Sequence, residues 1–339
     1  MSGTPISGQL QSNTRHVQLG ANDAVASLQN REGEPAVMHG DPGRRNAGES
    51  SFRRWRRTVF RSCLRSLPEN RFGDRLFALI QFFRFHRRWP RDAMMYNDVL
   101  YRLKTSDEVL EPLRVFVSDK EYMKLYVKAV VGERYAVPTL GVIRRADDVD
   151  TFDFPAQCCI KATHTSGCVV LRKNGEPVDR ARIKDWFRLN YYRLNREANY
   201  RSLKPKVIVE PLLFGSSNVQ DYKVFCVDGQ PKLIQVDVDR YIEHQRKYFD
   251  ANWHEQDFSI KYPRTARTIS KPANFDEMME IAAKLSAAFW FVRIDLYSND
   301  KEVYVGEITH CADNADGRFI PASAEQRVSA LLFGSAPGR

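Results

Sequence analysis

Two short segments near the C-terminus carry residue types suited to metal-assisted phosphate chemistry: FVRIDLYS (291–298) and VYVGEIT (303–309). Both alternate in the manner of strands. Arg293, Asp295 and Tyr297 share one face of the first, and Val305, Glu307 and Thr309 share one face of the second. A three-residue turn at Asp300–Glu302 sets Asp295 opposite Glu307 and Arg293 opposite Thr309. Two carboxylates opposed in this way lie about 5 Å apart at Cβ and repel. A hard divalent cation between them removes that cost, and Mg²⁺ typically sits on one or two carboxylates plus substrate phosphates. Solvated acids on an exposed strand are the plainer alternative, but Phe291, Ile294, Val303 and Ile308 flank this pair. Arg293 beside the acids is placed to neutralise phosphate oxygens. A strict two-residue turn would instead put the acids on opposite faces.

Further candidates lie upstream. Lys161 sits inside the strand-like CCIKAT (158–163), where a lysine is costly unless something anionic pairs with it. The polar stretch His164, Thr165, Ser166 and Gly167 offers hydroxyls and backbone N–H groups as a phosphate cover. Glu210 ends the apolar run VIVEPLL (207–213) and is followed by Pro211, Leu212 and Leu213, an arrangement suited to a nucleotide hinge. Taken alone, Glu210 is better read as one half of an ion pair to a nearby Arg or Lys. In Asp221-Tyr222-Lys223, with Asp237, Asp239 and Arg240 on a returning strand, the cations would grip further phosphates or an anionic substrate.

The elements that must position these residues follow from periodicity and turn signals. We expect helices over 51–67, 71–90, 118–132, 178–200 and 274–289, with a helical connector over 92–118. Asp119 stands near the start of one, and Asn274 caps another. Strands are expected over 136–143 (with a turn), 158–163, 169–173 and 206–213. Asp228-Gly229 turns a hairpin within 221–240, and 290–298 with 302–309 form the last hairpin. The class is α+β, with antiparallel hairpins rather than repeated βαβ units. Residues 1–50 are polar, without periodicity, and read as a disordered tail.

Charge is localised. The chain has 52 Lys+Arg against 42 Asp+Glu, yet residues 52–91 alone hold 12 Arg, no Lys and two acids, so the remainder carries 40 of each sign. This argues against a nucleic-acid groove spread over the body. The aromatic, Arg-rich 52–91 segment fits either an interfacial helix on an anionic membrane or a helical cap packed on the core. No apolar run is long enough to span a bilayer, and 1–50 lack an apolar secretory core. Six cysteines without CxxC spacing argue against a disulfide scaffold or a zinc module, and Cys158, Cys159 and Cys168 read as packing residues. A reducing, cytoplasmic setting is expected, with the inner face of the membrane as a peripheral site.

In order, these parts form a pattern: lysine strand, glycine loop, acid-ended hinge, lysine hairpin, then R-x-D…G-E-x-T. The chain resembles the TupA-like ATP-grasp family of polysaccharide-biosynthesis loci. The resemblance is carried by SDKEYMKLYV (118–127), GERYAVPTLGV (132–142), FDFPAQCCIKATHTSG (152–167), VIVEPLL (207–213), DYKVFCVDGQPKLIQVDVDR (221–240), YFDANW (248–253), KPANFDEMMEIAAKLS (271–286), FVRIDLY (291–297) and GEIT (306–309), within about 90–321. It implies an ATP-grasp fold, two α+β subdomains gripping ATP behind an N-terminal helical extension. The implied division is a tail (1–50), an Arg-rich helical segment (51–91), a connector (92–150), a subdomain with phosphate loop and adenine hinge (151–213), a subdomain with the Mg²⁺ site (214–325) and a tail (326–339).

It further implies that Lys120 and Lys161 contact the nucleotide, His164–Gly167 cover the β- and γ-phosphates, and Glu210–Leu213 form the adenine hinge. Lys223 and Arg240 would contact γ-phosphate or the acceptor carboxylate, Arg293 would stabilise the transferring phosphoryl group, and Asp295 and Glu307 would hold Mg²⁺ beside Thr309. The stretch HCADNADGRFIP (310–321) departs from the family's aromatic-Pro-Gly pattern; His310, Cys311 and Asp313 are too few for a soft metal site, and a substrate-facing loop is expected. The implied reaction joins a carboxylate of a uronic-acid-bearing sugar or glycan to an amine or amino acid at the expense of ATP. A kinase on the same fold, and a non-catalytic membrane- or polymer-binding scaffold, are the alternatives.

Overall fold

The computed structural model describes residues 59–60, 64, 66–215, 219–239 and 243–334. The tail over 1–50, most of the helix expected over 51–67, and Arg240 lie outside them. Two antiparallel sheets frame the described chain. The smaller has the order β1–β4–β2–β3, from β1 (Gly141–Ile143), β2 (Cys158–Ala162), β3 (Val169–Arg172) and β4 (Val207–Glu210). The larger runs β11–β10–β5–β6–β7–β8, from β5 (Gln220–Val227), β6 (Gln230–Val238), β7 (Gln245–Asp250), β8 (Glu255–Gln256), β10 (Phe291–Ser298) and β11 (Val303–Thr309). A two-stranded ribbon pairs β9 (Ser259–Ile260) with β12 (Phe319–Ile320). The class is α+β, as expected. The β5–β6 hairpin closes at Asp228-Gly229 with φ of 48° and 74°, the left-handed pair that a tight two-residue turn requires.

The larger sheet has two unlike faces. One is apolar along its length: Val224, Cys226, Ile234, Val236, Val292, Ile294 and Leu296 pack under Phe275, Met278, Ile281, Ala282 and Leu285 of a helix at Phe275–Ser286. The other changes character along the strands. At one end Phe225, Leu233 and Phe291 are apolar and meet Tyr96, Val99, Leu100 and Leu103 of the Tyr96–Thr105 helix. Two residues further along each strand, Arg293 and Asp295, Lys223 and Asp221, Gln235 and Asp237 replace them. The candidate site lies on this charged half.

In chain order the described α-helices are α1 (Arg71–His86), α2 (Tyr96–Thr105), α3 (Pro112–Ser118), α4 (Lys120–Val130), α5 (Asp148–Thr151), α6 (Arg180–Trp186), α7 (Tyr191–Asn195), α8 (Phe275–Ser286) and α9 (Ala324–Phe333). Asp119 caps α4, accepting from the N–H groups of Glu121 and Tyr122. Asn274 precedes α8 but makes no side-chain cap bond; its Oδ1 accepts from Ser298 Oγ at 2.8 Å, tying the helix to β10.

Two expectations fail. The strand over 136–143 reduces to Gly141–Ile143. The long helix over 178–200 breaks into α6, α7 and a 3₁₀ turn at Ala198–Tyr200. Asn190 starts a new helix by accepting from Arg193 N–H, and Arg196 adopts a left-handed φ of 53°. That strain is held by distant partners: the buried Arg196 Nη1 donates to Asp74 Oδ1 at 3.3 Å and to the Pro68 carbonyl at 2.9 Å, while Tyr192 Oη donates to Asp74 Oδ1 at 2.9 Å. Asp74 lies on α1, so this joint locks the N-terminal helix to the body. Arg196→Ala strands a carboxylate whose side chain is 2% exposed; we expect a loss of about 3–5 kcal/mol in urea unfolding. A loss below about 1 kcal/mol, the range of an exposed pair, contradicts the joint.

Candidate active site

Strand register brings the C-terminal residues together. Asp295 stands opposite Glu307, and Arg293 opposite Thr309. The route to this register differs from the expected three-residue turn. The loop is four residues, Asn299–Glu302, because the last pair is Ser298 with Val303. A one-residue bulge at Gly306 then restores the register, since Leu296 pairs with Val305 but Asp295 pairs with Glu307. The bulge also corrects the expected facing: Val305 is buried in the core below the sheet, and Tyr304, not Val305, shares the face of Glu307 and Thr309. Gly306 permits this because the Tyr297 ring lies over it; a Cβ there would come within 2.6 Å of the ring.

Arg293 grips Asp295 with two parallel bonds, Nε to Oδ1 at 2.7 Å and Nη2 to Oδ2 at 2.8 Å, and Nη2 also donates to Thr309 Oγ1 at 3.2 Å. Burial opposes the guanidinium charge, but Asp295 outweighs it and holds Arg293 above the ordinary arginine range. Lys223 continues the network. Its Nζ bonds Asp221 and lies 3.4 Å from Asp237 and 3.6 Å from Asp295. Arg246 carries it on, donating to Asp237 Oδ1 at 3.0 Å and Asp313 Oδ2 at 2.8 Å.

The smaller sheet presents a cationic counterpart. Glu210, at the end of β4, is 3% exposed and lies between two ammonium groups: Lys161 of β2 at 2.7 Å and Lys124 of α4 at 2.5 Å. Burial opposes the Glu210 charge, but the two lysines outweigh it and hold the carboxyl below its usual range. Burial likewise opposes charge on the lysines; Glu210 lifts Lys161 well above the ordinary lysine value, whereas Lys124 is left below it. One carboxylate between two lysines leaves a net positive charge, which an anion would neutralise. Lys124 was not singled out in the sequence; its place four residues after Lys120, on the same helix face, was the available signal.

Lys120 connects the two sheets. Its Nζ donates to the Thr165 carbonyl at 2.8 Å and lies 3.7 Å from Glu307 Oε1. Lys161 Nζ sits 5.7 Å from the centroid of the Tyr297 ring. The lysines of the smaller sheet therefore face the carboxylates of the larger.

The His164–Gly167 loop differs from expectation in its orientation. His164 is buried, its Nε2 donating to the Trp186 carbonyl at 3.1 Å, and burial lowers its pKa. Thr165 is buried too, its hydroxyl bonding the Ser166 carbonyl. The half-buried Ser166 and the exposed Gly167, at φ 84°, are left as the loop's outward part. Pro211, Leu212 and Leu213 are half-buried, and Phe214 beyond them lies 5.8 Å from the Tyr304 ring. An open cleft of about 840 Å³ runs beside α4, lined by Lys124, Thr139, Val142 and Tyr304 among others. It adjoins the lysine cluster but is not lined by Asp295 or Glu307, so this open space lies beside the charged gap rather than over it.

The 310–321 stretch turns inward at its start. His310 Nε2 donates to the Arg114 carbonyl at 3.2 Å while Nδ1 accepts from Arg114 Nη1 at 3.0 Å, and burial lowers its pKa to about 3. Cys311 is buried, and Asp313 is ion-paired to Arg246 and Lys261. Among the described residues no group of three or more His, Cys, Asp or Glu is placed to hold a metal ion. The Asp295–Glu307 pair, with Thr309 beside it, offers only oxygen donors. That set fits Mg²⁺, which takes few protein carboxylates and shares the rest of its shell with phosphate oxygens.

Sequence reasoning also missed an acidic group beside the site. Glu197 is 4% exposed and accepts from Tyr191 Oη at 3.2 Å. Burial pushes its carboxyl up to about 7 against the pull of Lys104, and the charges of Glu307 and Asp316 add to the rise. A group raised on folding is most stabilising below its unfolded value, near 4.5, and that stability is lost as pH rises through about 7. This makes up to about 3 kcal/mol. Glu197→Gln keeps an acceptor for Tyr191 and removes the titration. We expect urea unfolding of the variant to vary less between pH 5.5 and pH 8 than wild type, and the variant to be the more stable at pH 8; identical pH slopes contradict the assignment.

No curated protein matches the chain. Among solved structures it is similar to D-alanine–D-alanine ligase from Helicobacter pylori, at 15% identity over 67% of this chain and 60% of that one, with a TM-score of 0.36. It is also similar to L-amino acid ligase from Bacillus licheniformis (11% identity, 68% and 54% coverage, TM-score 0.37). A third is the ATP-grasp ligase PsnB complexed with a phosphomimetic variant of minimal precursor, Mg and ADP (12% identity, 62% and 53% coverage, TM-score 0.35). The chain spans 53–60% of the length of these three ligases. The sequence profile of TupA-like ATPgrasp matches residues 100–332, which include every described strand of both sheets. With that match over most of its length, the chain belongs to the TupA-like ATP-grasp family.

Proposed function

We propose that the chain catalyses the ATP-dependent joining of a carboxylate to an amine through an acyl-phosphate intermediate. The observation that carries this reading is the meeting of two charge sets: Lys120 bonds the Thr165 carbonyl and lies 3.7 Å from Glu307, so the lysine cluster faces the paired carboxylates. A triphosphate in that gap has cations on one side and metal-binding carboxylates on the other. Family membership supports ATP as the nucleotide.

Each residue then has a role. Lys161, Lys124 and Lys120 bind phosphate oxygens, with Glu210 orienting the first two. Ser166 and Gly167 cover the phosphates, while His164 and Thr165 anchor the loop from inside. Pro211, Leu212 and Leu213 offer backbone to the adenine edge, and Tyr297 and Tyr304 offer ring faces. Asp295 and Glu307, beside Thr309, would hold Mg²⁺, which when bound neutralises the β- and γ-phosphates. Arg293 stabilises the transferring phosphoryl group. Lys223, and Arg240 outside the described residues, hold the γ-phosphate or the acceptor carboxylate. The γ-phosphoryl passes to a carboxylate oxygen; the amine then forms the C–N bond as phosphate leaves. The protein supplies position and charge rather than a covalent nucleophile. From the family we assign the substrates as a uronic-acid-bearing sugar or glycan and an amino acid or amine, in surface-polysaccharide biosynthesis.

The test is a product assay with ATP and Mg²⁺ over a panel of uronic acids and amino acids. We expect ADP and free phosphate that require both an acid and an amine, with the rate falling about 100-fold or more in Glu307→Gln. ADP with a phosphorylated product assigns a kinase instead. No nucleotide binding by calorimetry removes the catalytic reading. Lys124→Met leaves Glu210 paired one-to-one with Lys161; we expect the variant to be less stable, since a buried ion-pair partner is lost, and, at a temperature where it remains folded, ATP affinity to fall about 10-fold, the scale of one charge-assisted hydrogen bond. Unchanged affinity contradicts the role given to the net charge.

A further inference from the structure

Helix α1 has two apolar faces. Phe77, Ala78 and Phe82 are buried, Phe82 packing edge-on to Tyr101 of α2 at 5.4 Å. A second row follows Phe72, Leu76, Leu79 and Phe83, spaced by four, three and four residues along one line of the helix. Its ends face outward: Phe72 is 71% exposed and Phe83 40%. Trp89, whose ring is tilted by 31° against that of Phe83 at 4.7 Å, is 60% exposed. Large aromatic side chains grouped on one exposed face usually mark an interaction surface.

The border of this face is cationic, and the exposed acids beside it are paired: Asp107 with Arg71 at 3.1 Å and Asp92 with Arg102 at 2.8 Å. Arg75, Arg87 and Arg91 are exposed. The 52–91 segment has 12 Arg and only Glu69 and Asp74 as acids. Asp74 is buried on Arg196 and Tyr192, and Glu69 is paired with Arg193 at 2.7 Å. Neither acid therefore offsets the segment's own arginines. Nor does the body extend the positive surface, since its 40 cations and 40 acids balance.

We propose that α1 docks this protein on an anionic lipid bilayer. Phe72, Phe83 and Trp89 enter the headgroup boundary, and the arginines pair with lipid phosphates. An extended polyanion in solution would use the charge but gives no reason for the outward aromatic row. The helix lies in the membrane plane: sixteen residues span about 24 Å, and no described helix is long and apolar enough to cross a membrane. Docking needs no unfolding of α1, because its attachments to the body lie on its other side and at its end. These are the Asp74 joint, His86 Nε2 donating to the Ala315 carbonyl at 3.0 Å, and Arg88 with two bonds to Asp98 at 2.8 and 2.7 Å; along the flank, Arg71 Nη2 and Arg75 Nε donate to the Thr105 carbonyl at 2.9 and 3.1 Å. The same helix is thus both a cap on the core and a membrane face.

The test uses the full chain and sedimentation with vesicles of phosphatidylcholine alone or with one third phosphatidylglycerol, at physiological salt. We expect at least ~10-fold tighter binding to the anionic vesicles, and at least ~10-fold weaker binding of a Phe72→Ser/Phe83→Ser/Trp89→Ser variant. The urea midpoint of that variant should be unchanged, since all three side chains are exposed. An Arg75→Gln/Arg87→Gln/Arg91→Gln variant should lose affinity and part of its salt dependence. Brominated lipids should quench tryptophan emission less in Trp89→Phe than in wild type. Equal binding to neutral and anionic vesicles, or undiminished binding of the aromatic variant, overturns the proposal. So does binding to heparin or RNA without binding to vesicles.

Discussion

The site depends on one buried carboxylate. Glu210 stands at the end of β4, opposite Cys159 of β2, with almost no exposed surface. An unpaired charge there would cost several kcal/mol or more, so the strand end is tenable only because Lys161 and Lys124 reach it. Those lysines come from different elements, β2 and α4, and Lys124 also donates to Thr139 Oγ1 at 2.9 Å in the crossing before β1. One side chain therefore fixes a strand, a helix and a loop relative to each other. Such a cluster is weak evidence for stability, because burying three charges costs much of what their attraction returns. Its product is a fixed, partly uncompensated positive charge, which is what anion recognition needs.

The larger sheet solves the complementary problem. Its charged residues cannot be covered by an apolar layer, so the covering helices stop short. Phe225, Leu233 and Phe291 receive α2, while two residues along the strands Arg293, Asp295, Lys223 and Asp237 remain for the other sheet. Strand alternation sets which residues face the gap, and the end-to-end change of residue type sets where along the sheet the gap begins.

Much of this was legible before the structure. Period-two alternation, the Asp228-Gly229 turn and the Asp119 cap located the hairpins and α4, and the opposition of Asp295 with Glu307 followed from strand periodicity. What was not legible came from long-range contacts or from cancelling irregularities. The four-residue loop and the bulge at Gly306 compensate each other, so the right pairing follows from the wrong turn while Val305 is assigned the wrong face. The segment 178–200 has helical apolar spacing; Asn190 breaks it by capping a new helix, and the break at Arg196 is held by Asp74, more than one hundred residues upstream. His164 reads as a phosphate ligand from its loop, but the Trp186 carbonyl claims its ring. Glu197 gave no signal at all: its surroundings come from α2, α7, β11 and the 312–316 turn, elements that are neighbours only in the folded chain.

Helix α4 has a property beyond supplying side chains. Lys120 and Lys124 stand on one face and serve opposite ends of the gap, Lys120 at Glu307 and the loop, Lys124 at Glu210. Their separation is one helical turn, about 6 Å of backbone rise. The helix is therefore a gauge block: the distance between the two cationic points is set by peptide geometry, not by flexible side chains. Exchanges of Glu121 or Tyr122 leave that distance intact. Insertion or deletion of one residue between the lysines rotates one against the other by about 100° and takes it off the shared face. In this part of the chain, length is more tightly constrained than composition.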